Sequence, residues 1–184
     1  MSKAVMLSVR PKWCEKIASG EKTIEVRKTK PKLETPFKCY IYCTLPKYPH
    51  EDFIATDYPR PQFYGGGKVI GEFTCGRIDR LAPANEPYGI YDIDDDYVLQ
   101  TCLENGALWD YGHGTPLYGW HISDLRIYDE ARELSEFRRA TDPCDSCPAE
   151  YTWECTDCKK LSGDIKRPPQ SWCYVKAMEE EETE

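Results

Sequence analysis

Cys144, Cys147, Cys155 and Cys158 stand as two Cys-x2-Cys pairs with seven residues between them. Two such knuckles supply four thiolates to one tetrahedral ion, and zinc is the borderline-soft metal that suits them. Four thiolates fill the coordination sphere and leave no position for a reacting water, so the expectation is one structural Zn2+ per chain. The flanking Pro143, Pro148, Lys159, Lys160 and Gly163 form no apolar periodic segment, so the ion would organise this stretch. The other six cysteines (Cys14, Cys39, Cys43, Cys75, Cys102 and Cys173) are scattered among apolar neighbours, as buried thiols are. A thiolate metal site with unpaired cysteines implies a compartment that keeps thiols reduced, and the expected location is the cytoplasm.

The second chemical signal is Gly20-Glu21-Lys22-Thr23-Ile24-Glu25-Val26-Arg27. Three charges and a hydroxyl sit on a short alternating segment directly after a glycine. One reading is an exposed strand face with cross-strand ion pairs. The other is the wall of a polar cleft, where Lys22 and Arg27 donate to phosphate or a base carbonyl and Glu25 accepts from an exocyclic amine. Other patterns do not carry chemistry. Gly65-Gly66-Gly67-Lys68 lacks the hydroxyl residue of a phosphate loop, since Val69 follows the lysine. Asp92, Asp94 and Asp96 begin like a calcium loop, but Tyr97 stands where glycine is needed. Of three histidines, His113 lies between glycines and His121 beside Trp120, and no nucleophile–base set follows from their spacing.

These residues need elements to position them. Lys3 to Val9 reads as a largely buried strand, and Pro11 to Ser19 as a helix with Pro11 in its first turn and Gly20 as its stop. Thr23 to Arg27 alternates with period two, so Ile24 and Val26 take one face and Thr23, Glu25 and Arg27 the other. Phe37 to Thr44 and Lys68 to Arg80 are further strands, the latter with Gly71 and Gly76 marking bulges or close approach. A helix is expected from Asp94 to Asn105, stopped by Gly106, then short strands at 119–122 and 125–128 and a closing strand at 171–175. Many short strands with two helices imply a small, strongly bent sheet or barrel with helices alongside.

The 184 residues suit one medium domain with a small appendage, and 40 % hydrophobic content excludes global disorder. No run of apolar residues is long enough for a membrane span, and the first ten residues do not form a signal peptide, so no membrane partner is expected. The net charge of −8 is uneven: residues 1–47 carry +7 and the remainder −15. Such a chain does not hold duplex nucleic acid by bulk charge, which still leaves room for a local basic face toward an anion such as phosphate. The tail Glu179-Glu180-Glu181-Glu182-Thr183-Glu184 reads as a solvated end.

The Gly-x-Lys-x-x-Glu-x-Arg pattern of residues 20–27 resembles the hallmark of ASCH domains, members of the PUA-like superfamily. Leu7 to Ile17, the strand around Val69 to Phe73 and the Trp120-His121-Ile122 region are similar to that family as well. The resemblance implies an α+β protein: a PUA-like β-barrel with flanking helices over residues 1–139 and a zinc-knuckle insertion at 140–166. Residues 167–178 would be the closing strand and 179–184 the acidic tail, a variant similar to bacterial and phage ASCH proteins. It also implies a cleft that takes RNA or a nucleotide-like ligand, with Lys22, Thr23, Glu25, Arg27, Trp120 and His121 as ligand-binding residues. Here Trp120 would offer a base face. Some relatives are N4-acetylcytidine amidohydrolases and others are linked to RNA cleavage, so the alternative is an enzyme with Lys22 and Glu25 as catalytic residues. Against it, Glu25 stands where those amidohydrolases carry threonine. A third reading is an adaptor that meets a protein partner through the zinc knuckle.

Overall fold

The structure, a computed structural model, describes residues 2–45, 66–84, 89–140 and 163–178. Its elements are β1 (Lys3–Val9), α1 (Pro11–Ala18), β2 (Ile24–Arg27), β3 (Phe37–Cys43), β4 (Val69–Leu81), α2 (Asp95–Thr101), α3 (Asn105–Gly112), β5 (Leu117–Arg132) and β6 (Trp172–Lys176). A 3-10 turn at Leu134–Glu136 follows β5. The strands form one six-stranded sheet in the order β2-β5-β4-β3-β1-β6. Only β1 and β3 run parallel; every other pair is antiparallel.

Both faces of the central strands are covered. Val5, Leu7 and Val9 of β1 pack with Cys39, Ile41 and Cys43 of β3 and with Phe73 and Trp120 on one side. The alternate residues Ala4, Met6, Tyr40 and Tyr42 face a second core completed by Phe137, Ile165 and Val175. Ile165 is 2 % exposed, so although its position falls in the expected insertion it packs with the body of the domain. A third cluster joins Val26 of β2 and Leu117 of β5 to Leu108 of α3. Each cluster follows from the strand period of two, which sends neighbours to opposite faces.

The long β4–β5 pair shifts register at three places. At one of them Gly71 passes so close to β5 that a Cβ would lie 2.5 Å from the Arg126 carbonyl oxygen. The two short strands expected at 119–122 and 125–128 are one strand. Asp124 at φ 48° takes the left-handed conformation within it, which an aspartate tolerates and which lets the strand bend without ending. The single helix expected at 94–105 is two. Asp94 caps the first by accepting from Tyr97 N at 2.8 Å, and Cys102 at φ 53° ends it. Asn105 then opens the second while its side chain pairs with both backbone groups of Tyr91. Gly106 therefore lies inside a helix rather than after one.

Among the described residues the backbone pairing leaves β2 and β6 as the two edges, with no strand hydrogen bonds between them. Side chains span the seam instead. Arg27 of β2 reaches Ser8 of β1 and Ser171 at the start of β6, and Trp172 Nε1 donates to Thr29 Oγ1 at 2.9 Å.

Candidate functional site

Gly20 at φ 81° turns the chain sharply after α1, and Lys22 N donates back to Lys16 O at 2.9 Å. That reversal points Lys22 inward and starts β2, which pairs Glu25 with Trp120 and Arg27 with Tyr118 on β5. All four β2 residues are buried, which excludes the exposed-face reading of the motif. Val26 packs under α3, while Glu25 and Arg27 face the seam between the sheet edges.

There a cavity of about 440 Å3 opens, lined by Ser8, Arg10, Trp13, Lys22, Glu25, Arg27, Tyr111 and Ser171 among others. Its floor is a row of charges. Glu25 Oε1 lies 2.9 Å from an Arg27 terminal nitrogen, and Glu25 Oε2 lies 3.5 Å from Lys22 Nζ. The three side chains are 1 % (Lys22), 9 % (Glu25) and 8 % (Arg27) exposed. Two cations thus share one carboxylate that is largely withdrawn from bulk water.

Each charge is held by further groups. Lys22 Nζ donates to the carbonyl of Thr101, the last residue of α2, at 2.5 Å, which satisfies an orphan helix-terminal acceptor with a cation at the negative end of the dipole. It also lies 5.1 Å from the centre of the Trp13 ring. Burial pushes the Lys22 ammonium below the usual lysine range, and Glu25 opposes that shift. Arg27 donates to Ser8 O at 2.8 Å and to Ser171 O at 3.3 Å, so its terminal nitrogens are committed to the protein. Its Nε is buried without a partner among the described residues. Cys14 lies close to this row, but burial drives its thiol well above the ordinary range, so it is not a nucleophile near neutral pH.

The structure brings Lys22, Glu25 and Arg27 together and sends the other sequence candidates elsewhere. Thr23 is exposed and does not line the cavity; its backbone N–H donates to Gln100 O at 3.0 Å. Trp120 is 0 % exposed, edge-on to Phe37 within the first core, so it offers no face to a ligand. His121 lies on the opposite side of the strand, with Nε2 2.6 Å from Asp79 Oδ2 and 2.9 Å from an Arg77 nitrogen. Trp120 and His121 take opposite faces of β5, one in the core and the other half-buried beside Asp79, and neither lines the cavity. Sequence reasoning missed Trp13, Tyr111 and Ser171 as cavity residues. Trp13 alone carried a local signal, lying on the helix that leads into the motif; Ser171 meets Arg27 across 144 positions of chain.

Cys144, Cys147, Cys155 and Cys158 lie outside the described residues, as do residues 179–184. Among the described residues no group of three or more His, Cys, Asp or Glu side chains is placed to hold a metal ion. None of the described helices is long and apolar enough to cross a membrane.

A mixed six-stranded sheet with three helices is an α+β architecture that matches the ASCH fold. The solved structures that show this are of an ASCH protein from Zymomonas mobilis, matched at a TM-score of 0.50 and 18 % identity over 94 % of this chain and 87 % of that one. A Tyr-to-Phe variant of that protein gives a TM-score of 0.55 at 18 % identity over 95 % and 91 % of the two chains. A Ser-to-Ala variant gives 0.50 at 18 % over 94 % and 88 %. No family model matches the sequence, and no curated protein matches it.

Proposed function

We propose that this protein is a binding module whose seam cavity captures RNA or a nucleotide-like molecule through a nucleobase or phosphate group. The observation that supports this reading is the buried row of two cations and one carboxylate lining a cavity of about 440 Å3. One positive charge in the row is uncompensated, which favours a ligand with an anionic or carbonyl oxygen near Lys22. The remaining lone pairs of Glu25, which lines the cavity, supply acceptors for a base edge. Trp13 and Tyr111 on the walls supply aromatic surface. Calorimetric titration with nucleoside monophosphates tests it: wild type binds, while a folded Lys22→Met variant, which keeps the aliphatic stem, binds at least tenfold more weakly. Equal affinity in the two proteins sinks the reading.

One observation favours a second reading, hydrolysis of an acylated cytidine or of RNA. Lys22 carries a proton that burial has loosened and sits 3.5 Å from Glu25, an arrangement suited to proton transfer. Mass spectrometry after incubation with acylated nucleosides and RNA separates the readings, since turnover lost in Lys22→Met makes the protein an enzyme. The cysteine set is proposed independently as a structural Zn2+ site, with ligands Cys144, Cys147, Cys155 and Cys158.

A further inference from the structure

The residues immediately after β2 carry a feature that the cavity does not explain. Lys28-Thr29-Lys30-Pro31-Lys32 continues from Arg27 at the cavity wall and crosses the end of β6. Its alternate positions are fastened down. Thr29 Oγ1 accepts from Trp172 Nε1 at 2.9 Å, Pro31 is buried, and Lys32 N donates to Tyr174 Oη at 2.7 Å. Lys28, Lys30 and Lys32 are exposed, and among the described residues none pairs with a carboxylate.

Two of these cations lie over aromatic rings. Lys28 Nζ is 5.0 Å from the centre of Tyr111, a cavity residue, and Lys30 Nζ is 5.9 Å from the centre of Tyr118. Pro31 keeps Lys30 in extended backbone, where two residues advance the chain by roughly 7 Å. The strap presents a cation at every second position, two of them beside tyrosine rings, and it leads directly out of the cavity wall at Arg27. A duplex does not fit a cavity of about 440 Å3, whereas one nucleotide of a single strand does. The chain outside residues 1–47 carries −15, so this basic strip is not part of a generally cationic surface.

We infer that Lys28, Lys30 and Lys32 form a backbone track for single-stranded nucleic acid, whose phosphates run out of the seam cavity along the strap. This rests on the cavity reading proposed above and extends it: the ligand is a polymer, and the nucleotides flanking the captured one contribute affinity through their phosphates. The track adds sequence-independent, salt-sensitive binding, while the cavity supplies selection.

The test compares the full chain with a Lys30→Gln/Lys32→Gln double variant, whose altered side chains are exposed and away from the cavity walls. Two probes are titrated, a nucleoside monophosphate and a short labelled single-stranded RNA, each between roughly 50 and 200 mM salt. The expected result is unchanged binding of the monophosphate and weakened binding of the RNA. Losing two phosphate contacts makes the slope of log K against log salt shallower by about 1.4, so over that range the wild type loses about sevenfold more affinity than the variant. An unchanged RNA slope overturns the track while leaving the cavity reading intact. Strap-dependent RNA binding together with monophosphate binding insensitive to Lys22→Met supports the track and overturns the cavity reading. Failure of wild type to bind either probe overturns both. Equal strap-dependent binding of phosphatidylserine vesicles or polyglutamate, with no preference for RNA, assigns the strip to another polyanion and overturns the proposal.

Discussion

Removing the Arg27 side chain should unfasten the sheet. The guanidinium lies 2.9 Å from Glu25 Oε1, 2.8 Å from Ser8 O and 3.3 Å from Ser171 O, so one residue on edge strand β2 holds both β1 and the entry to β6. Arg27→Ala deletes these contacts and leaves Glu25, 9 % exposed, with only Lys22 at 3.5 Å. Breaking a buried pair by truncating one partner costs about 3–5 kcal/mol. Hydrogen bonds to charged groups are worth about 1.5–3 kcal/mol each and overlap with that figure rather than adding to it. Each kcal/mol shifts the midpoint of a domain of this size by about 2–4 °C, so Tm should fall by roughly 6–20 °C. Urea unfolding followed by circular dichroism gives the free energy directly, and hydrogen exchange should show the Ser8 amide, which donates to Ser171 O, losing protection before the centre of β3. Arg27→Lys keeps the charge but cannot reach in three directions, so it should recover only part of the loss. A loss below about 1 kcal/mol in Arg27→Ala, the range of an exposed ion pair, would refute the view that Arg27 closes the seam.

Gly71→Ala should destabilise the domain by about 1–3 kcal/mol in urea unfolding, because the added Cβ meets a backbone carbonyl that cannot swing aside. Lys22 should leave an alkaline signature relative to Lys22→Met. Its folded pKa is held below the unfolded value of 10.5, so between the two values the unfolded chain binds more protons and the lysine's contribution to stability rises with pH. The stability difference, wild type minus variant, should therefore increase towards pH 10.5, and a flat or falling difference contradicts the burial of its charge. Metal analysis of purified protein should find one zinc per chain, retained on dialysis and lost in Cys155→Ser; protein that is folded and free of zinc refutes the cysteine set.

Much of the frame was legible because local rules and tertiary packing agree there. Pro11 and Gly20 bracket α1, and the apolar run of β1 needs only a sheet with two covered faces. The motif charges were legible as chemistry, since Lys22, Glu25 and Arg27 lie within one turn and one short strand. Their surroundings were not. Period two told which β2 residues share a face but not that both faces are covered, so burial had to come from α3 on one side and the seam on the other. Trp120 looked like a ligand platform because aromatic residues serve cores and clefts equally well, and only its burial against Phe37 and Trp172 decides between them. The split of the 94–105 helix was hidden by Cys102, whose left-handed conformation is not one that its residue type advertises.

The second core has a consequence for how the chain is assembled. Arg139 N donates to Gly163 O at 3.1 Å, Arg138 bridges to Asp164, and Ile165 N donates to Phe137 O at 3.2 Å. The strands of chain that enter and leave the region between them are thus stitched side by side at its base, with Phe137 and Ile165 buried under the stitch. The two ends of the intervening segment, at Arg139 and Gly163, are therefore held at a fixed separation. Lengthening a loop costs little once its ends are pinned, about 0.6 kcal/mol per doubling. The fold therefore carries a socket: a position where chain can be gained, lost or exchanged over evolutionary time, or grafted by design, while the seam and its charges stay as they are.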